Sequence, residues 1–218
     1  MIYLNKNQKL ASGSERHVFL YPKCHSYVIK VLKPRAEQNL RNNFRSLSQA
    51  FLPLLRRRSI NKEWKECIRI KKLAEIYKCG AIPIAMNIRS VETNWGRGVV
   101  AERVLSSRGD SPTLKSLAIA NNISNQDIEK LNVFADHMFQ MNIRASDITA
   151  SNIVFGAKGS DDKEGAFLVD GFGDIHAIPI RSLSKKMNKI SLNKSFVRLA
   201  EKVNLKWDGV KFSQSCRF

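Results

Sequence analysis

No cysteine in these 218 residues has a near partner. Cys24, Cys67, Cys79 and Cys216 lie far apart, whereas zinc sites and disulfide frameworks announce themselves by close, repeated spacings, so reduced thiols are expected. His17, His25, His137 and His176 are equally dispersed and suggest no metal site. No apolar run approaches the length of a membrane span, and the polar opening Met1 to Leu10 lacks the apolar core of a signal peptide. The expectation is a cytoplasmic protein with no transmembrane segment. Acidic residues are scarce too: 37 Lys and Arg against 19 Asp and Glu leave a formal charge of +18.

That excess is uneven. Between Lys30 and Lys72 there are thirteen basic and three acidic residues, and from Arg181 to Phe218 ten against two. Such clusters suit an anionic partner, whether nucleic acid, an anionic membrane or envelope surface, phosphorylated sugars or another polyanion, or they are solvated surface. Arg56, Arg57, Arg58, Lys62 and Lys65 are the expected patch. No RRM, zinc finger or other nucleic-acid reader motif accompanies the charge. A hydrophobic content of 43% supports a folded protein, and the length allows one good core or two small lobes.

From Gln8 to Tyr21 the pattern predicts two strands joined by a turn at Ser12, Gly13 and Ser14. Against the kinase pattern G-x-G-x-x-G-x-V, Gly13 and Val18 fit, with Leu10 apolar before them. Ser26 to Leu32 predicts the next strand, in which Lys30 stands between Ile29 and Val31. A lysine there either finds an anion or faces water. A helix is expected from Gln38 to Arg58, broken near Pro53, then a second from Asn61 to Tyr77 with Trp64, Cys67, Ile68 and Tyr77 toward a core. Glu63 and Glu66 project from neighbouring positions of that helix; either is a candidate partner for Lys30, and both also suit surface ion pairs.

Ala85 to Thr93 and Val99 to Leu105 predict a hairpin closed by Asn94 to Gly98, and polar Ser106 to Pro112 is the expected hinge. Thr113 to Ala120 reads as a short helix. Ser124 with Asp127 resembles a capping box, opening a longer helix whose Ile128, Leu131, Phe134 and Met138 form a buried stripe. The C-terminal forty residues are helical in tendency, with Phe196, Leu199 and Val203 at helical spacing and Trp207 as an anchor.

Met141 to Asp174 is the stretch that points to chemistry. Asp147 and Asn152 lie five apart between a helix and a strand, Asn152 to Phe155. Asp170 follows a second apolar run, Ala166 to Val169. A loop at Gly156 to Gly165 would let the two strands bring Asn152 beside Asp170. Oxygen ligands so arranged suit Mg²⁺, which is held by one or two protein groups plus substrate phosphates. A catalytic Asp, then a metal-binding Asn, then a D-x-G Asp is the kinase order.

Taken together, LASGSERHV, YVIKV, NKEWKE, VETNWGRGVVAERV, SDITASN, LVDGFGD and IHAIPIRSL resemble the PhoP regulatory network protein YrbL family, bacterial proteins with a protein-kinase-like fold. The likeness covers nearly the whole chain, and the VETNWGRG-to-ERV and LVDGFGD-to-IPI blocks are its most specific parts. The resemblance implies Lys30 on the phosphates of ATP with Glu63 as its helix partner, Asp147 as the base on an acceptor hydroxyl, and Asn152 with Asp170 on Mg²⁺. Lys30, Asp147, Asn152 and Asp170 would then share one cleft.

Several departures bear on activity. Ala145 and Ser146 replace the His and Arg of H-R-D, Thr149 stands where protein kinases often have Lys, and G-F-G follows Asp170 with no A-P-E after it. Only 44 residues follow Asp174, so the expected acceptor is a small or envelope-related hydroxyl compound rather than a protein. The reading is a two-lobed α+β kinase-like fold, with an N-terminal lobe to about Leu105 and a reduced helical lobe beyond. Its function is ATP- and Mg²⁺-dependent phosphotransfer; the alternatives are a pseudokinase-type module that binds without turnover and a basic nucleic-acid-binding protein.

Overall fold

The computed structural model describes residues 1–13, 15–33, 52–77, 82–158, 161–173 and 184–215. Ser14, most of the expected helix from Gln38, Cys79, Cys216, His176 and the block from Asp174 to Leu183 lie outside the described residues. The fold is mixed α+β, and its chain contacts define two compact units: Met1–Arg58 with Met86–Arg103, and Ser59–Ala85 with Val104–Phe218.

The first unit holds a five-stranded antiparallel sheet of β1 (Lys9–Ser12), β2 (Arg16–Leu20), β3 (Tyr27–Leu32), β4 (Asn87–Thr93) and β5 (Gly96–Glu102), in the order β1-β2-β3-β5-β4. Alternation of side chains sorts its two faces. Phe19, Ile29 and Val100 pair across adjacent strands and join Leu4, Tyr21 and Val31 in one apolar cluster. Val18, Lys30 and Val99 are the next cross-strand set and so occupy the other face. The β4–β5 turn is tighter than the expected Asn94 to Gly98: only Asn94 and Trp95 lie between the strands. Asn94 Oδ1 accepts from Leu4 N at 2.7 Å, and Trp95 Nε1 donates to Leu4 O at 3.2 Å. The turn therefore also fastens the N-terminal segment.

The second unit is built on helices and a small sheet. α1 runs unbroken from Leu52 to Tyr77, and the residues before Leu52, on which the expected break near Pro53 turns, lie outside the described residues. Arg56 to Arg58 consequently lie inside α1 rather than in a connection; their side chains are outside the described residues. Ile68, expected to face a core, is 48% exposed, and Ile70 is buried instead. The buried side of α1 runs through Glu63, Glu66, Cys67 and Ile70, so an apolar count alone misplaces it.

α2 (Leu114–Ile119) and α3 (Asn125–Gln140) begin where their caps predict. Thr113 and Ser124 each accept from the backbone three residues on, and Ser116 and Asp127 return the bond. Ile128, Leu131, Phe134 and Met138 are all buried, with Ala135. Strands β6 (Val104–Leu105), β7 (Ile153–Lys158) and β8 (Asp161–Leu168) form an antiparallel sheet. The loop expected over Gly156 to Gly165 is mostly strand. At Gly156 the Leu105 carbonyl passes so close that a Cβ would overlap it, which explains a glycine inside a strand.

α4 (Lys185–Lys202) buries Asn188, Leu192, Phe196, Leu199 and Ala200. Beyond it the helical expectation fails: β9 (Leu205–Trp207) and β10 (Phe212–Gln214) pair as a hairpin. Trp207 does serve as an anchor. It packs against Phe139, Phe196 and Phe212, and its Nε1 donates to Asn193 Oδ1 at 2.6 Å. Such a cluster lets a short hairpin, through Trp207 and Phe212, pack against two helices.

The last residues of α2, α3 and α4 are followed by Ala120, Met141 and Val203 as caps, then by Asn121, Asn142 and Asn204 at φ of 50°, 47° and 54°. Asparagine thus fills the left-handed stop position that glycine more often takes, since its short amide tolerates that conformation.

Candidate active site

The segment leading to Asp147 is a chain of backbone contacts with the segment after Asp170. Ala145 bridges Phe172 in antiparallel fashion. Ser146 N and Asp147 N donate to Gly171 O at 2.8 and 3.1 Å, and Gly173 N donates to Arg144 O at 2.7 Å. Gly171 makes this approach feasible. Its φ is +80°, and a Cβ would lie 2.5 Å from Asp147 O and 2.8 Å from Asp147 Cβ, so a side chain there is excluded twice, by conformation and by space.

Asn152 joins the two acids. Its Nδ2 donates to Asp147 O at 3.1 Å and to Asp147 Oδ2 at 3.0 Å. Its own carbonyl accepts from Val169 N at 2.8 Å, one residue before Asp170, while Ile153 pairs with Leu168. Asp170 Oδ1 accepts from Gly171 N at 2.9 Å. Asp147 is exposed; Asn152 and Asp170 are half-buried. Both amide protons of Asn152 are directed at Asp147, and its Oδ1 accepts from no group among the described residues. Hard oxygen donors from an amide and a carboxylate fit Mg²⁺ with substrate phosphates completing the shell. Among the described residues no three His, Cys, Asp or Glu side chains group to hold a metal unaided.

Glu66 organises the approach to this segment from α1. It is 3% exposed, and its Oε1 accepts from Arg144 N at 2.8 Å while Arg69 holds both oxygens, with Nε–Oε2 at 2.9 Å. Arg144 Nη1 lies 3.7 Å from Glu66 Oε2. Arg69 also donates to Asn142 O at 2.9 Å, satisfying a carbonyl at the end of α3. From the other side Asn188 of α4, fully buried, donates to Asn142 Oδ1 at 2.9 Å and Ile143 O at 3.0 Å. Ala145 and Ser146 lack the long side chains that support the kinase catalytic loop, and these bonds from two neighbouring helices supply support of another kind.

Both glutamates weighed as partners of Lys30 are buried rather than on the surface. Glu66 is committed to Arg69 and Arg144; Glu63 is also 3% exposed, and its turn of α1 lies close to Gly173, where a Cβ would come within 3.1 Å of Glu63 N. In the first unit Lys30 is 6% exposed, set between Val18 and Val99 on neighbouring strands, so it does not face water from an outer surface. The turn after β1 is simpler. Gly13 N donates to Arg16 O at 2.9 Å, and all four residues of β1 are exposed.

Arg69, Arg144 and Asn188 are not among the candidates read from the sequence, and Glu66 stands there only as an alternative partner for Lys30. The three have no spacing signature for this role, because the bonds that tie α1 and α4 to the Asn142–Arg144 segment span 45 to 78 positions.

The family model for PhoP regulatory network protein YrbL matches residues 2–204. No curated protein sequence matches the chain. Among solved structures, Rad53 in complex with AMP-PNP is 14% identical with a TM-score of 0.50, covering 88% of this chain and 46% of that one. The kinase domain of Mycobacterium tuberculosis PknI is 13% identical with a TM-score of 0.48, covering 88% and 70%. Monomeric WbdD is 12% identical with a TM-score of 0.48, covering 89% and 38%. The chain spans less than half the length of the Rad53 and WbdD chains. At such identities the likeness speaks for fold alone, and that fold is protein-kinase-like.

Proposed function

This chain belongs to the PhoP regulatory network protein YrbL family, and from that premise we propose that it transfers the γ-phosphoryl group of ATP, with Mg²⁺, to a small hydroxyl compound. The observation that carries the proposal is the triangle of Asp147, Asn152 and the Asp170–Gly171 turn, in which one amide fixes the exposed acid and keeps its own oxygen for a cation. The Rad53 relative bound to AMP-PNP supports a nucleotide as the ligand.

In this reading Asp147 accepts the proton of the acceptor hydroxyl as its oxygen bonds to the γ-phosphorus and ADP leaves. Asn152 and Asp170 would hold Mg²⁺, whose charge would offset that of the phosphates. Lys30, a cation in an apolar strand, neutralises phosphate oxygens and is oriented by Glu63. Gly13 and Val18 line the phosphate turn. The basic excess draws an anionic acceptor or surface toward the protein.

Ala145, Ser146 and Thr149 favour one competing reading, a pseudokinase that binds Mg-ATP without turnover. Calorimetry and phosphate release separate the two. Asp170→Asn is expected to weaken Mg²⁺-dependent nucleotide binding, whereas Asp147→Asn leaves binding near wild type and lowers transfer or hydrolysis by roughly a hundredfold or more. Wild type that binds Mg-ATP but hydrolyses it no faster than Asp147→Asn, across candidate acceptors, favours the pseudokinase. A wild-type chain that binds no nucleotide overturns both.

A further inference from the structure

α4 has two faces, and only one is accounted for by the core. Asn188, Leu192, Phe196 and Leu199 point inward and fix the rotation of the helix. The opposite line, Met187, Ile190, Lys194, Val197 and Glu201, repeats at alternating intervals of three and four and therefore forms one continuous outward seam. Its apolar members are exposed: Met187 by 45%, Ile190 by 42% and Val197 by 38%. Lys186 borders the seam on one side and Arg198 and Lys202 on the other, and all three are exposed, as is Lys194 within it. Glu201 is the sole acid of the helix.

We propose that this outward face of α4 docks on an anionic phospholipid surface, with Met187, Ile190 and Val197 entering the acyl boundary and the flanking cations meeting lipid phosphates. The arrangement is that of an interfacial helix, an apolar strip bordered by long basic side chains that reach up to the headgroups. Charge selects the occupant. A second copy of α4 would bring cations against cations with one acid each to offset them, and at 18 residues the seam is short for a coiled coil. A nucleic acid would satisfy the cations but has no use for three exposed apolar side chains along their midline. The helix is not itself a span; no helix among the described residues is long and apolar enough to cross a membrane.

The test is co-sedimentation of the full chain with vesicles of phosphatidylcholine alone or mixed with phosphatidylglycerol, at low and high salt. Binding is expected only to the mixed vesicles, weakening with salt. Because a protein of formal charge +18 adheres to anions in general, two comparisons give the result its meaning. Lys194→Glu with Arg198→Glu should lower vesicle binding by about tenfold or more, while the charge-matched Lys71→Glu with Lys72→Glu, exposed on α1, lowers it much less. Ile190→Ser with Val197→Ser should lower vesicle binding several-fold yet leave retention on heparin unchanged. All six positions are exposed, so thermal unfolding should match wild type. Equal losses from the α1 and α4 charge pairs, or vesicle binding indifferent to the Ile190 and Val197 changes, would overturn the proposal in favour of a general polyanion effect. A concentration-dependent dimer abolished by Ile190→Ser would overturn it in favour of a second copy.

Discussion

The segment around Asp147 and the turn around Gly13 stand at opposite extremes of support. The first is held by backbone bonds to Gly171 and Gly173, by the Asn152 amide, by Glu66 and Arg69 of α1 and by Asn188 of α4. The second follows a strand exposed along its length, and among the described residues it is crossed by the bond from Gly13 N to Arg16 O and by the contact of Ser12 Oγ with His17 Nδ1 at 3.2 Å. In the proposed phosphotransferase this division would have a purpose. Groups that act on a reacting atom must be held in position beforehand, whereas a phosphate-covering turn has to yield as nucleotide enters and leaves.

Removing the buried carboxylate should break this contrast most severely. Glu66→Ala strips the Arg144 N–H and the Arg69 guanidinium of their acceptor, and a loss of about 3 kcal/mol in unfolding free energy is expected, read by urea denaturation. Partial exposure of both arginines, 25% and 26%, keeps the value below that of a fully enclosed pair. A change under about 0.5 kcal/mol would mean that the α1 bonds are incidental.

Gly171→Ala attacks the same segment from the other side. The new methyl would meet the Asp147 carbonyl and occupy a left-handed residue, at an expected cost of about 2 kcal/mol, with Mg-ATP binding reduced as the Asp170 turn shifts. Gly13→Ala is the matched control in the loose turn. The nearest atom to its added Cβ is Arg16 O at 3.7 Å, an ordinary contact, so stability should move by no more than about 0.5–1 kcal/mol in either direction. If the two glycine replacements cost the same, the contrast between the regions is lost.

The smallest effect asks how far the support extends along the β7–β8 hairpin. Glu164 accepts from Lys130 Nζ at 2.6 Å and from Ser107 N at 3.0 Å, and the Lys130 hydrogen bond, then the Ser107 backbone bond, hold its carboxyl below the usual Glu range. A carboxyl with a depressed folded value stabilises the protein above its unfolded value and loses that contribution as pH falls through the folded one. Glu164→Gln should therefore lower the melting temperature slightly at neutral pH and not in acid below both values; the side chain is a third exposed, so the difference will be small.

The capping box at Ser124, the stripe on α3 and the hairpins through β8 were readable because each is written within a few consecutive residues. The β9–β10 hairpin was missed since its three-residue strands carry too short an alternation to stand out beside a strong helical period. The inward side of α1 was hidden for another reason: it is marked by Glu63 and Glu66, residues that hydrophobic periodicity assigns to water. Asp147, Asn152 and Asp170 drew notice as polar breaks in an apolar pattern, but the bonds that surround them join residues dozens of positions apart, and a single sequence has no local sign for those.

Asn188 gives this long-range wiring a temporal side. The turn at Asn142 and Ile143 that precedes Asp147 receives its amide partner from 46 residues further along the chain, so during synthesis on a ribosome the turn is made well before the group that completes it. Until α4 emerges and docks, the segment bearing Asp147 has its α1 bonds but lacks this one, and a chain cut short before Lys185 would retain every residue of the proposed chemistry while being unable to finish the loop that presents it. A lesion in α4 would then register as a defect in nascent-chain maturation and not as the loss of any reacting group.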